Sequence, residues 1–336
     1  MFKLEGTDAL APRARLRTAV VLCALLLLAA GAPAATTRQL PASLAAANGW
    51  LAYQSESSRG GDGVFLVRAN RSDDHEILTD LQSEHLHPDF SRDGKRLAYD
   101  SGANVYVAGA DSTDPRLIAN CDPNAACMQH WEPAWFPDGK QLAISTAAGM
   151  GDPPKRFGIA IIDLATQTVR HVVGHVSRAG QDHFPRWSPD GRRLVFWRGR
   201  EHPGGAQAAV FVVNADGTGL RPLTPWSLLG GDPDWSPDGS LIVFNTRPLV
   251  DFPDAGQSEL YTIRPDGTGL RRLTAHGPNG PRATQPRWTP DGTAILYTRT
   301  TQTGRPRQIH ALNADRSGDA PVLTAKPIYT HPILQP

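Results

Sequence analysis

The stretch that decides the fold is His183-Phe-Pro-Arg-Trp-Ser-Pro-Asp-Gly-Arg-Arg-Leu-Val-Phe196, or HFPRWSPDGRRLVF. It reads as a short strand, a tight turn and a second strand. Pro189 presets φ at the first turn position, the Asp190 side chain caps the turn backbone, and Gly191 takes the positive φ that closes a hairpin. The same phrase recurs as HPDFSRDGKRLAY from His87, EPAWFPDGKQLAI from Glu132, FPRWSPDGRRLVF from Phe184, DPDWSPDGSLIVF from Asp232 and QPRWTPDGTAILY from Gln285. A truncated sixth copy, His331-Pro-Ile-Leu-Gln-Pro336, closes the chain. The first prolines stand at 88, 133, 185, 233, 286 and 332, and a spacing near 50 residues marks propellers or arrays.

Each copy carries a large apolar residue two positions after its first proline: Phe90, Trp135, Trp187, Trp235, Trp288 and, in the sixth, Leu334. Such a residue suits packing between neighbouring sheets. The runs Leu97-Ala-Tyr99, Leu142-Ala-Ile144, Leu194-Val-Phe196, Ile242-Val-Phe244 and Ile295-Leu-Tyr297 have the continuous apolar pattern of strands buried on both faces. A third and a fourth strand follow, clearest in VFVVNADGTGLRPLT (210–224) and LYTIRPDGTGLRRLT (260–274), where Asp-Gly joins two apolar runs. Asp216-Gly and Asp266-Gly lack the alternating ligands of a calcium loop and are read as turns. The unit is therefore four antiparallel strands, which bury their faces when stacked radially.

Counting strands gives the closure. The C-terminus supplies one first strand, whereas NGWLAYQS (48–55), VFLVRAN (64–70) and HEILT (75–79) are second-, third- and fourth-strand material. The expectation is an all-β, six-bladed β-propeller of four-stranded antiparallel blades over residues 45–336, closed by one C-terminal plus three N-terminal strands. This clasp removes the open sheet edge.

Ahead of it, Arg13, Arg15 and Arg17 precede an apolar run from Ala19 to Ala30 and the small residues of Gly31-Ala-Pro-Ala34. This is the pattern of an export signal cleaved after Ala34. The run is too short to cross a hydrocarbon core about 30 Å thick. Residues 1–34 are thus expected to be a signal peptide and 35–44 a short linker, with the mature protein periplasmic or secreted and without a transmembrane segment.

The chain has 336 residues, 40% of them hydrophobic, and a formal net charge of +1. Removal of the signal leaves 30 basic against 31 acidic side chains. No charge excess points to nucleic acid or an anionic membrane. Cys121 and Cys127 then remain, and two cysteines this close in an oxidising compartment are expected to form a disulfide. The alternative is a metal pair, which lacks a second pair to complete a zinc site.

The unit PxWSPDGxxLxF followed by LYxxxxDGxxxRxLT resembles the propeller repeat of the TolB family, the periplasmic component of the Tol–Pal envelope system, over essentially all of residues 45–336. The resemblance implies a periplasmic propeller that binds a protein segment. TolB proteins carry a separate α/β domain ahead of the propeller, for which the stretch between Ala34 and the first blade strand has no room. Similar propellers precede the catalytic domain of prolyl-oligopeptidase-type peptidases. A Gly-x-Ser-x-Gly nucleophile elbow is nowhere in the chain, so a serine hydrolase is not expected.

The residue before each repeat proline enters the innermost strand and should face the central channel: His87, Glu132, Phe184, Asp232, Gln285 and His331. Two positions earlier, on the same face by strand periodicity, come His85, His130, Asp182, Gly230, Ala283 and Tyr329. This gathers imidazoles and carboxylates near one mouth, where propellers commonly bind. Three readings stay open: an envelope protein, peptide segment or small ligand bound by a monomer, a solvated lining, or a divalent metal. His85, His87 and His331 are the candidate metal ligands. They belong to the alternative of a metal-dependent carbohydrate-active lyase or hydrolase that also uses Glu132 and Asp232, and the resemblance adds that one family of pectic-oligosaccharide lyases places a histidine-lined metal site on a related propeller. Trp131 is a candidate partner contact if exposed; otherwise it packs on the 121–127 loop.

Overall fold

The computed structural model describes residues 49–57, 61–68, 71–77, 85–120, 127–148, 156–176, 180–203, 205–246, 258–277, 280–301, 307–324 and 328–336. The backbone divides after Thr37, and all described residues belong to the unit Arg38–Pro336. The expected signal peptide and linker lie outside the described residues, as do Cys121 and the side chains of His85, Cys127 and Tyr329.

Chain order begins inside a shared blade with β1 (Trp50–Glu56), β2 (Asp62–Arg68) and β3 (His75–Glu76). Blade 1 is β4 (His85–Phe90), β5 (Arg96–Ser101), β6 (Asn104–Gly109) and β7 (Arg116–Ala119). Blade 2 is β8 (Cys127–Trp135), β9 (Gln141–Ala148), β10 (Arg156–Asp163) and β11 (Val169–Val176). Blade 3 is β12 (Gln181–Trp187), β13 (Arg193–Arg200), β14 (Gln207–Asn214) and β15 (Arg221–Pro222). Blade 4 is β16 (Gly230–Trp235), β17 (Ile242–Thr246), β18 (Leu260–Ile263) and β19 (Arg271–Arg272). Blade 5 is β20 (Arg282–Trp288), β21 (Ala294–Thr300), β22 (Arg307–Asn313) and β23 (Ala320–Leu323), and β24 (Ile328–Leu334) completes blade 6 in the order β24-β1-β2-β3. The first strands touch in the cyclic order β4, β8, β12, β16, β20, β24 and back to β4, which places them innermost and closes the ring.

The repeat residues do what their chemistry suggests. Ser91, Ser188 and Ser236 each donate through Oγ to Oδ1 of the turn aspartate two residues on, at 2.6 Å. That oxygen also accepts the N–H of Lys95, Arg192 or Ser240. Gly191, with φ of 69°, turns the chain into the second strand. Those second strands are fully buried, as in Leu194, Val195 and Phe196, because blades cover them on both sides.

The core is six layers, one between each pair of adjacent blades. Trp135 packs with Val105 and Val107 of blade 1 and with Ile144 and Ala160 of its own blade. Its indole N–H donates to the Asp89 carbonyl at 3.0 Å. Trp187, Trp235 and Phe90 fill equivalent layers, the half-buried Trp288 packs against a fifth, and Leu334 fills the sixth, with Leu296 and Ile309 of blade 5. The clasp pairs Leu51 with Leu334 and Ala52 with Ile333. Gln335 extends it, accepting the Trp50 N–H through Oε1 at 2.9 Å and donating its own N–H to the Trp50 carbonyl at 2.7 Å. Among the described residues no helix is long and apolar enough to cross a membrane.

Truncating a wedge opens a cavity between two rigid sheets that cannot collapse. Trp135→Ala is expected to cost about 3–5 kcal/mol and Leu334→Ala about 2–4 kcal/mol in urea titrations, against less than about 0.5 kcal/mol for the exposed Leu270→Ala.

Candidate functional site at the channel mouth

Every innermost strand is broken at the same place. In β4 the register steps from Leu86 opposite Asp100 to Asp89 opposite Ala98, so one extra residue is accommodated. Equivalent shifts fall between Trp131 and Ala134, His183 and Arg186, Gly231 and Asp234, and Thr284 and Arg287. At each break the residue before the proline is left-handed: His87 φ 51°, Glu132 57°, Phe184 54°, Asp232 47°, Gln285 54° and His331 58°. Non-glycine residues avoid this region, at a cost on the order of 1 kcal/mol each. A bulge re-aims the side chain it carries.

The bulges are held from the neighbouring blade. Asp100 Oδ1 accepts the Glu132 N–H at 3.0 Å, Glu132 Oε2 accepts the Phe184 N–H at 2.8 Å, and Asn245 Oδ1 accepts the Gln285 N–H at 3.0 Å. Three re-aimed side chains meet across the channel. The His87 ring stands edge-on to His331 at 4.6 Å and to Phe184 at 5.3 Å, while Phe184 stacks on His331 at 5.0 Å. Gln285 Nε2 donates to His331 Nε2 at 3.2 Å. His331 Nδ1–H is thereby directed to Thr330 Oγ1, 2.8 Å away, which in turn donates to Gln54.

His87 Nδ1 lies 2.8 Å from Asp100 Oδ1. Burial would lower the His87 pKa, but the Asp100 carboxylate, with Glu132 behind it, raises it above the ordinary value. Glu132 is buried, which raises a carboxyl, yet His183, His87 and the 2.6 Å hydroxyl bond from Ser145 hold it down at about 2. His183 Nδ1 is 3.2 Å from Glu132 Oε1 and 3.3 Å from the Trp131 indole nitrogen. One ring nitrogen cannot serve both. With Glu132 ionised, Nδ1–H goes to the carboxylate, and the Trp131 N–H points at a nitrogen that cannot accept it. Trp131 is partly exposed, leaning on Phe157 at 6.1 Å.

Of the expected mouth residues, the structure thus assembles His87, Glu132, Gln285 and His331, with Trp131 at the edge. Asp232 occupies the equivalent bulge of blade 4 and is buried. The extra residue cancels the strand periodicity behind the second expected ring. Asp182 is fully buried and bound bidentately by Arg198, at 2.6 and 2.8 Å, opposite it on β13. His130 is buried, and burial, with His171 nearby, lowers its pKa to about 4. Among the described residues no group of three possible ligands gathers for a metal ion. Asp100, Gln54 and His183 join the mouth from outside the positions that the repeat pattern marks. The first two occupy one position of the second strand, directly after its buried aromatic.

No family model matches the chain. Over 129 residues, 38% of its length, it is 30% identical to the uncharacterized peptidase YuxL of Bacillus subtilis, where the match covers 19%. The chain spans less than two thirds of the length of the curated relatives it matches. Among solved structures, TolB from Acinetobacter baumannii aligns with a TM-score of 0.63, covering 86% of this chain and 67% of that one at 18% identity. An oligogalacturonate lyase in complex with manganese aligns with a TM-score of 0.56 over 78% and 71%, at 16% identity. At these identities the likeness is one of fold, and the fold is the six-bladed propeller of the TolB structures.

Because the folded pKa of Glu132, about 2, lies below the ordinary 4.5, its ionisation stabilises the fold above pH 4.5 and that contribution is lost as pH falls toward 2. Wild type should exceed Glu132→Gln by up to roughly 3 kcal/mol at pH 7, at about 1.4 kcal/mol per pKa unit, with the gap narrowing below pH 4.5. Urea titrations across pH at fixed ionic strength measure it.

Proposed function

We propose that this chain is an exported binding or scaffold module of the cell envelope that offers its channel mouth to a protein segment. The carrying observation is Trp131. It is partly exposed, its N–H faces an imidazole nitrogen engaged by Glu132, and its ring lies against Phe157 and His183. A large aromatic with an unused donor suits a partner that supplies apolar surface and a carbonyl oxygen. The TolB-like fold and the export pattern of residues 1–34 support the same reading.

The metal-dependent lyase or hydrolase has less behind it. The manganese-bound lyase shares the fold, and two imidazoles, His87 and His331, meet at the mouth. Nδ1 of His87 faces Asp100 and both ring nitrogens of His331 face mouth side chains, and the expected third ligand, His85, has its side chain outside the described residues.

The test is capture by the immobilised mature protein of polypeptides from an envelope extract of the source cell, with metal analysis of the same preparation. A polypeptide retained by wild type and weakened roughly tenfold or more by Trp131→Ala is expected. Equal retention by both proteins, or a stoichiometric metal lost in His87→Ala, would turn the assignment toward the enzyme.

A further inference from the structure

Past the mouth, directly after each repeat proline, a second ring of side chains follows: Asp89, Ala134, Arg186, Asp234, Arg287 and Ile333. Register makes them equivalent. They lie opposite Ala98, Ala143, Val195, Val243, Leu296 and Ala52 of their second strands. Four of the six are charged, although all sit on innermost strands.

The two acids are anchored, since Asp89 accepts the Trp135 N–H and Asp234 the Trp288 N–H, each at 2.8 Å. The two arginines are not matched in the same way. Arg186, 4% exposed, donates through Nη1 to the carbonyls of Pro133 at 3.3 Å and Pro185 at 3.0 Å, but its Nε is buried without a partner. Arg287 is 3% exposed and has no hydrogen-bond or ion-pair partner among the described residues, with Nη1 sealed from solvent. A guanidinium keeps its charge at any pH at which the fold survives, and a buried charge without a partner is strongly disfavoured.

The acids do not resolve this. Burial raises the pKa of Asp89, and raises Asp234 to about 7, in spite of the nearby Arg186. Both acids face Arg186, and neither makes a hydrogen bond or ion pair with Arg287. Asp234 is half-buried, whereas Arg186 and Arg287 are buried.

We infer that the channel holds a site for a small carboxylate, centred on the Arg287 guanidinium, in the ring that also carries Asp234 and Arg186 at equivalent register positions. A planar carboxylate matches the guanidinium fork with two parallel N–H bonds, a geometry that suits Arg and not Lys. It supplies the counter-charge that Arg287 lacks among the described residues. This site is independent of the protein partner proposed above and stands or falls separately.

Isothermal titration calorimetry of the full chain with sodium acetate, at pH 6.5 and constant ionic strength, tests it. Saturable one-to-one binding is expected, weakened about tenfold or more in Arg287→Gln, less so in Arg287→Lys, and unchanged in the exposed-site variant Arg264→Gln. Sodium sulfate serves as the competing shape. The inference is overturned if wild type shows no saturable acetate binding, if sulfate binds and acetate does not, or if Arg287→Gln binds as wild type does. Should Arg287→Gln fail to fold, Arg287→Lys carries the comparison, and equal affinity there overturns the inference as well.

Discussion

One backbone constraint organises the channel: the left-handed residue that precedes each repeat proline. A flat innermost strand would alternate its side chains between the two faces of the blade and would give the channel no shared polar layer. The extra residue bends the strand, turns His87, Phe184 and His331 toward one another, and lets Asp100, Glu132 and Asn245 accept the backbone N–H of the next blade. Packing supplies the compensation for that strain. The proline fixes the exit from the bulge, and the aromatic two residues later is locked in an inter-blade layer.

Apolar packing and buried polar groups therefore occupy different radii of the same molecule. Outside the channel, six apolar layers and the clasp of β24 on β1 make each blade depend on both neighbours. Inside it, the innermost strands carry buried charge that packing does not require: His87 on Asp100, Glu132 on His183, and the ring of Asp89, Arg186, Asp234 and Arg287. Burying such groups is unfavourable, and Arg287 in particular is not offset by any described side chain. Their presence on strands that could have been apolar throughout is what the proposal of binding in the channel rests on.

Turn chemistry and strand counting were legible in the sequence because each is local. Ser-Pro-Asp-Gly specifies its own hairpin, and the lone first strand at His331–Pro336 matched the three strands that open the fold. The bulge was not legible, since proline restricts its predecessor without announcing a positive φ. Carrying a period of two across it sent Asp182 and His130 to the mouth; the structure engages Asp182 with Arg198 and buries His130. His183 was hidden because it precedes the bulge residue Phe184, and Asp100 and Gln54 because they end apolar runs read only for burial. A usable signal did exist in the residue between proline and aromatic, where Asp89, Arg186, Asp234 and Arg287 interrupt an apolar context.

The most direct measurement compares Gln285→Gly with Gln285→Ala by urea unfolding. Both remove the same contact with His331, so their difference reports the backbone at position 285, where φ is 54°. Glycine should be the more stable variant by about 1 kcal/mol, because it alone occupies the left-handed region freely. If alanine were the more stable, the innermost strand would be regular at that point and the bulge that forms the mouth would be wrong.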